Sequence, residues 1–219
     1  MIIYVNRGVT RLFHFTKLKS LIHILYDEDG ILATDFIEND VKQQNDLSRL
    51  DKSTDYVCCS LQYPNTWYWK KLKERDEDKV FKEWVFLSVN LATLKERQFK
   101  FCPFNAATDY GIYIRDDVIN INEIFAPIVG NRVRQPNMLE CCPTDGQAEI
   151  LVCKNIPLKF INSIIVGNEI CADNIGAILK TIDKDISVFI SPDVCNTNWN
   201  RLVSNGQAPQ EIKYDYRGE

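Results

Sequence analysis

The segment Thr144-Asp145-Gly146-Gln147-Ala148-Glu149-Ile150-Leu151-Val152 constrains this chain most. It runs a carboxylate into the start of an apolar, strand-forming stretch. Side chains alternate along a strand, so Gln147 and Glu149 point one way and Ala148 and Ile150 the other. Taken alone, the segment is read most simply as an edge strand whose Gln147 and Glu149 face water. The competing reading keeps the polar pair on a strand for chemistry, and the rest of the chain decides between them.

The spacing along the chain predicts mixed α and β structure. Leu18, Leu21, Ile22 and Leu25 recur at helical intervals, with Thr16 as N-cap, so Phe13-His14-Phe15-Thr16 closes a strand and opens a helix. Residues 27–55 form a long polar stretch. Strands are expected at 55–61, 84–90, 99–104, 111–114, 149–153, 163–166 and 187–190. A helix over 66–75 carries Trp67, Tyr68 and Leu72, and Pro64-Asn65 precedes it. Residues 131–146 read as a second long loop, and Ile175, Ile178, Leu179 and Ile182 mark a late helix. The polar tail over 205–219 is expected to fray. No repeat or linker divides the chain, which predicts one α+β domain over 1–219.

Composition narrows the function. The 219 residues carry 11 Phe, 9 Tyr and 4 Trp in a 45% apolar chain, enough for a substantial core. A net charge of −4 excludes a protein that coats nucleic acid by bulk charge but allows a local basic groove. No apolar run is long enough to span a membrane, and the N-terminus lacks a signal peptide, so a cytoplasmic location and no membrane partner are expected. The eight cysteines contain no C-x-x-C, and His14 and His23 are the only imidazoles. They are read as reduced, mostly buried thiols, with Cys141-Cys142 more exposed in a loop, and no metal is expected. His23 and the charged 70–75 segment read as structural or solvated. Phosphate cradles of the G-x-x-x-x-G-K-[ST] and G-x-G-x-x-G types and the G-x-S-x-G elbow are absent.

What remains is a constellation: His14-Phe15-Thr16, Arg49 in a polar loop, the strand and aromatic helix start over 56–69, Phe101 to Thr108, and Gln147-Ala148-Glu149. These pieces, with Leu21 to Leu25, Asp55-Tyr56-Val57 and Asn105-Ala106-Ala107, resemble the DarT family over roughly residues 10–195. DarT proteins are bacterial toxins that ADP-ribosylate nucleic acid using NAD. The resemblance implies an ADP-ribosyltransferase-like fold, with a split mixed and antiparallel β core and flanking helices.

The resemblance also implies roles. Glu149 stabilises the ribosyl cation, holds the ribose 2′-hydroxyl and helps deprotonate the acceptor. Arg49 takes the diphosphate, because a guanidinium grips phosphate oxygens in a fork. Asn105 sits near the reacting centre, at a position where some relatives carry histidine. His14, Phe15, Thr16 and Tyr56 belong to the NAD site, and Trp67 or Tyr68 stacks on nicotinamide. Gln147 meets the acceptor. Arg132 and Arg134 suit a single-stranded backbone, so the expected partner is single-stranded DNA, or RNA, with the base left open. An antitoxin partner, a chaperone and a phage-defence role follow from the toxin reading. Protein ADP-ribosylation and a non-catalytic binding module are the alternatives.

Overall fold

The computed structural model describes residues 7–37, 50–75, 84–196 and 199–218. Its frame is an eight-stranded sheet. The first strand, β1 (Arg11–Lys17), leads into helix α1 (Leu18–Tyr26) and the short β2 (Ile31–Leu32). Then come β3 (Tyr56–Leu61), α2 (Thr66–Arg75), β4 (Trp84–Asn90), a single turn α3 (Thr93–Glu96) and β5 (Phe99–Cys102). A small hairpin joins β6 (Ile128–Val129) to β7 (Arg132–Val133). The remaining elements are β8 (Glu149–Cys153), β9 (Asn155–Ile156), β10 (Ile161–Val166), α4 (Glu169–Thr181), β11 (Ser187–Ile190), α5 (Pro192–Cys195), α6 (Trp199–Ser204) and β12 (Ile212–Tyr214).

The strand order is β12-β11-β10-β4-β1-β3-β8-β5. Among the described residues only β10 and β11 run parallel, and α4 supplies the crossover that a parallel pair requires. Asn168 starts that helix by accepting the Cys171 N–H at 2.8 Å.

The sheet is split in the middle. β1 pairs with β4 along its whole length, Arg11 to Lys17. It pairs with β3 only at Leu12–Leu61 and Phe13–Ser60. Beyond Phe13 that ladder stops, and His14 fills the gap: its Nδ1 lies 3.0 Å from the Cys58 carbonyl oxygen. The split is what lets a cleft enter the sheet beside β3 and β8.

Alternation builds a core on each face. Leu12, Leu87, Ile150 and Ile164 face the larger cluster under α1 and α4. Phe13, Phe15, Phe86 and Ile165 face an aromatic cluster with Trp69 and Trp199. Each fully buried Leu or Phe contributes roughly 1.5–3 kcal/mol of hydrophobic stabilisation.

Several elements differ from the sequence expectation. The strand bearing Glu149 is an inner strand, flanked by β3 and β5. Thr16 is no N-cap. It continues β1 opposite Val85, and Lys17, with no side-chain bond to the helix, precedes α1. The 27–55 stretch contains β2, paired with β9, and its residues 38–49 lie outside the described set. Residues 111–114 form no strand, because Asp109 and Tyr110 adopt left-handed backbone and coil the segment. Arg115 then bridges to Phe101. Loop 131–146 begins inside the β6–β7 hairpin, which turns at Gly130 with φ of 54°. Cys142 is buried against Trp199 and Tyr63, not exposed.

The tail is docked as well. β12 pairs with β11, and the Arg11 guanidinium forks onto the Glu211 carboxylate. Tyr216 sits on Gly176 of α4, where a Cβ would lie 2.5 Å from the tyrosine Cβ. These long-range contacts are invisible in a polar stretch read locally.

Candidate active site

Glu149 opens β8 as the residue that turns away from the core. Ser60 of β3 lies opposite it on one side and Cys102 of β5 on the other. Ile150 and Val152 alternate into the larger core, so Glu149 emerges half-buried at the base of a cleft of about 1550 Å³. Its Oε1 accepts the Ala106 N–H at 3.2 Å. Ala106 follows β5 in a turn of small residues that brings the backbone close to the carboxylate.

The same turn reaches Gln147. Asn105 Nδ2 donates to Gln147 Oε1 at 3.4 Å, while Asn105 Oδ1 accepts the Ala107 N–H at 2.8 Å. Asn105, Gln147 and Glu149 are therefore one cluster. Two thiols near it have raised pKa values. Burial, then the Glu149 charge, raises Cys59, and Cys102 is pushed up to about 12, mainly by burial. Among the described residues no cluster of His, Cys, Asp and Glu could hold a metal ion.

His14 and Thr16 line the cleft on the other side of the split. A carbonyl only accepts, so the Nδ1 of His14 carries the proton shared with Cys58 O, and Nε2 is left as an acceptor. Burial lowers the His14 pKa from 6.5, which keeps the ring neutral at pH 7. The site thus offers a hydroxyl or amide a neutral imidazole instead of a cation.

Phe15 serves the site from behind. Its ring lies 6.1 Å from that of Tyr68 and 5.7 Å from that of Trp69. Tyr68 lines the cleft, and Trp67 at its lip is 53% exposed, with Lys71 Nζ 4.8 Å above the ring. Two residues aim this helix that sequence reasoning passed over. Ser60 Oγ accepts the Asn65 N–H at 2.9 Å, and Asn65 Oδ1 accepts the Tyr68 N–H at 2.9 Å. The signal was present in Pro64-Asn65, since Asn is a strong N-cap residue. Tyr56, on β3 opposite Cys153, also lines the cleft and lies under Lys100.

The two arginines of the 131–146 loop part company. Arg132 lines the cleft from the hairpin. Arg134 turns inward: its guanidinium donates to Cys142 O and Leu139 O at 2.8 Å each and to Thr144 Oγ1 at 3.4 Å. Burial lowers its pKa. Arg134 closes the loop onto itself, and this use of the guanidinium departs from the expected nucleic-acid contact. Arg49 lies outside the described residues.

The arrangement joins a half-buried carboxylate, an amide beside it, a neutral imidazole across the split and aromatic faces at the lip. The family model described as "DarT: ssDNA thymidine ADP-ribosyltransferase, DarT" matches residues 13–199. No curated protein matches the chain in sequence. Among solved structures, Thermus sp. 2.9 DarT in complex with ADP-ribosylated ssDNA superposes with a TM-score of 0.62 at 16% identity, covering 85% of this chain and 96% of that one. The same protein in complex with NAD+ gives 0.59 at 20% identity, covering 84% and 96%. Thermosipho africanus DarTG in complex with ADP-ribose gives 0.62 at 20% identity, covering 84% of this chain and 50% of that one. With the family model spanning both sides of the cleft, from Phe13 to Trp199, the chain belongs to the DarT family of ssDNA thymidine ADP-ribosyltransferases.

Proposed function

We propose that the cleft binds NAD as co-substrate and transfers its ADP-ribosyl group to a thymidine base in single-stranded DNA. The observation that carries this reading is Glu149 on an inner strand, held by the Ala106 N–H with Gln147 beside it. A hydrated edge strand, the simplest reading of the segment alone, would give neither the neighbours nor the cleft.

In this reading Glu149 holds the ribose 2′-hydroxyl and stabilises positive charge as the glycosidic bond opens. Nicotinamide departs neutral with the bond's electron pair. Glu149 then takes the proton displaced from the base as the new glycosidic bond forms. A general base of this kind supplies about 10²–10⁴-fold. His14 Nε2 accepts from the co-substrate, Thr16 and Tyr56 flank it, and Trp67 or Tyr68 stacks on a ring. Asn105 keeps Gln147 turned toward the acceptor. Arg49 takes the diphosphate, as the resemblance implies. Arg132 meets the strand's backbone, and Arg134 keeps its loop in shape.

The toxin role belongs to the same reading. The match covers only half of Thermosipho africanus DarTG, and that likeness supports an antitoxin partner for this chain. An unpaired strand suits a chain of net charge −4, because its bases can enter a cleft without the few kcal/mol that extrusion from a duplex costs. The test offers labelled NAD with single-stranded DNA, matched duplex, RNA and protein in parallel. Label on single-stranded DNA well above duplex supports the reading. Label on protein alone, or equally on RNA, overturns the acceptor.

A further inference from the structure

Asp145 is a buried, charged residue of the cleft that the proposed chemistry does not use. Only 7% of it is exposed, yet it lines the cleft. Its Oδ1 accepts the Gln147 N–H at 2.8 Å, and its backbone carbonyl accepts the Ala148 N–H at 3.0 Å. Asp145 therefore closes the four-residue turn that delivers Gln147 and then Glu149 into β8. Among the described residues its second oxygen, Oδ2, makes no hydrogen bond.

A turn of this kind needs a side-chain acceptor and not a charge. Asn or Ser would close it without burying a carboxylate, which costs free energy unless a cation or a ligand compensates. Arg132 lines the same cleft and is the cation whose charge acts on Asp145, with no ion pair formed between the two. Its charge and the Gln147 N–H draw the Asp145 pKa down, while burial, the larger effect, raises it. In the proposed reading Arg132 also meets the acceptor strand.

We infer that Asp145 is a positioning residue for the acceptor, fixing the angle of Gln147 and drawing the Arg132 guanidinium over the cleft. This rests on the proposed transfer to single-stranded DNA. Asp145 would act on the share of activated ADP-ribosyl groups that reach the base instead of water, and on the hold over the strand. Oδ1 governs the first through Gln147, and the charge governs the second through Arg132. The two functions are separable by substitution. Asp145→Asn keeps an oxygen for the Gln147 N–H and loses the charge. Asp145→Ala loses both.

The experiment measures nicotinamide released and ADP-ribosyl groups on a single-stranded oligonucleotide in the same reaction, for wild type and both variants, after thermal melts confirm folding. Asp145→Ala should lower the ratio of modified DNA to nicotinamide by about 10-fold, the order expected from one lost charge-assisted hydrogen bond. Asp145→Asn should restore most of that ratio while the KM for the oligonucleotide stays raised, with the KM for NAD unmoved. Equal ratios in all three proteins would overturn the inference, as would identical loss in the two variants, or a rise in the NAD KM matching that of the oligonucleotide. Wild-type protein that releases nicotinamide but labels no DNA refutes the proposed acceptor itself, a failure visible before any variant is compared. A poorly folded Asp145→Ala leaves the near-isosteric Asp145→Asn to decide, since its KM for DNA either rises or does not.

Discussion

The Ala106 N–H, in the turn that follows β5, reaches Glu149 Oε1 at the start of β8 at 3.2 Å. That bond places a backbone dipole against a carboxylate that neighbours two uncharged thiols, Cys59 and Cys102. The carboxylate is oriented from the strand and from the turn at once.

Glu149→Gln tests what the charge does. The amide keeps an oxygen for Ala106 and nearly the same volume, so the thermal midpoint should stay close to wild type. Transfer should fall about 10²–10⁴-fold, the range of a lost general base. Turnover within a few-fold of wild type would remove Glu149 from the chemistry.

The two arginines should behave oppositely. Arg134→Ala strips the donors from Leu139 O and Cys142 O, and the lost bonds should cost about 1–3 kcal/mol, read as a lower denaturation midpoint. Arg132→Ala should move the midpoint less than Arg134→Ala, weaken oligonucleotide binding and reduce the slope of log affinity against log salt by about 1. A stable Arg134→Ala with weakened DNA binding would reverse the assignment.

His14 gives stability a pH dependence of definite sign. Folding holds its pKa below 6.5, so the unfolded chain binds more protons as pH falls through that value. Its contribution is complete above pH 6.5 and diminishes below it, down to the folded pKa. Denaturant midpoints from pH 5 to 8 should show this acid-side loss, flattened in His14→Gln. A wild-type profile no steeper than the variant's would show that His14 titrates normally.

Residues with local signals were legible in the sequence. The strand over 84–90, the helix over 66–75 and the strand over 149–153 have the bounds expected from alternation and spacing. The Asn105, Gln147 and Glu149 cluster was also legible, because the resemblance supplied the long-range pairing. Pairing without a local signal was not legible. Nothing near Glu149 says that Phe99–Cys102 will cover its strand and make an edge into an interior. Arg132 and Arg134 are two residues apart and similar in context, yet the closure of the loop onto Cys142 and Leu139 separates them. The tail reads as polar because its partners, Arg11 and Gly176, lie far back in the chain.

The most direct measurement is the mass of a single-stranded oligonucleotide after incubation with NAD and the wild-type chain. The account predicts a gain of one ADP-ribosyl group on a strand containing one thymidine. It predicts no gain when that thymidine is replaced by deoxycytidine, and none with Glu149→Gln over the same time. An unmodified thymidine strand, or equal modification of both strands, would contradict it.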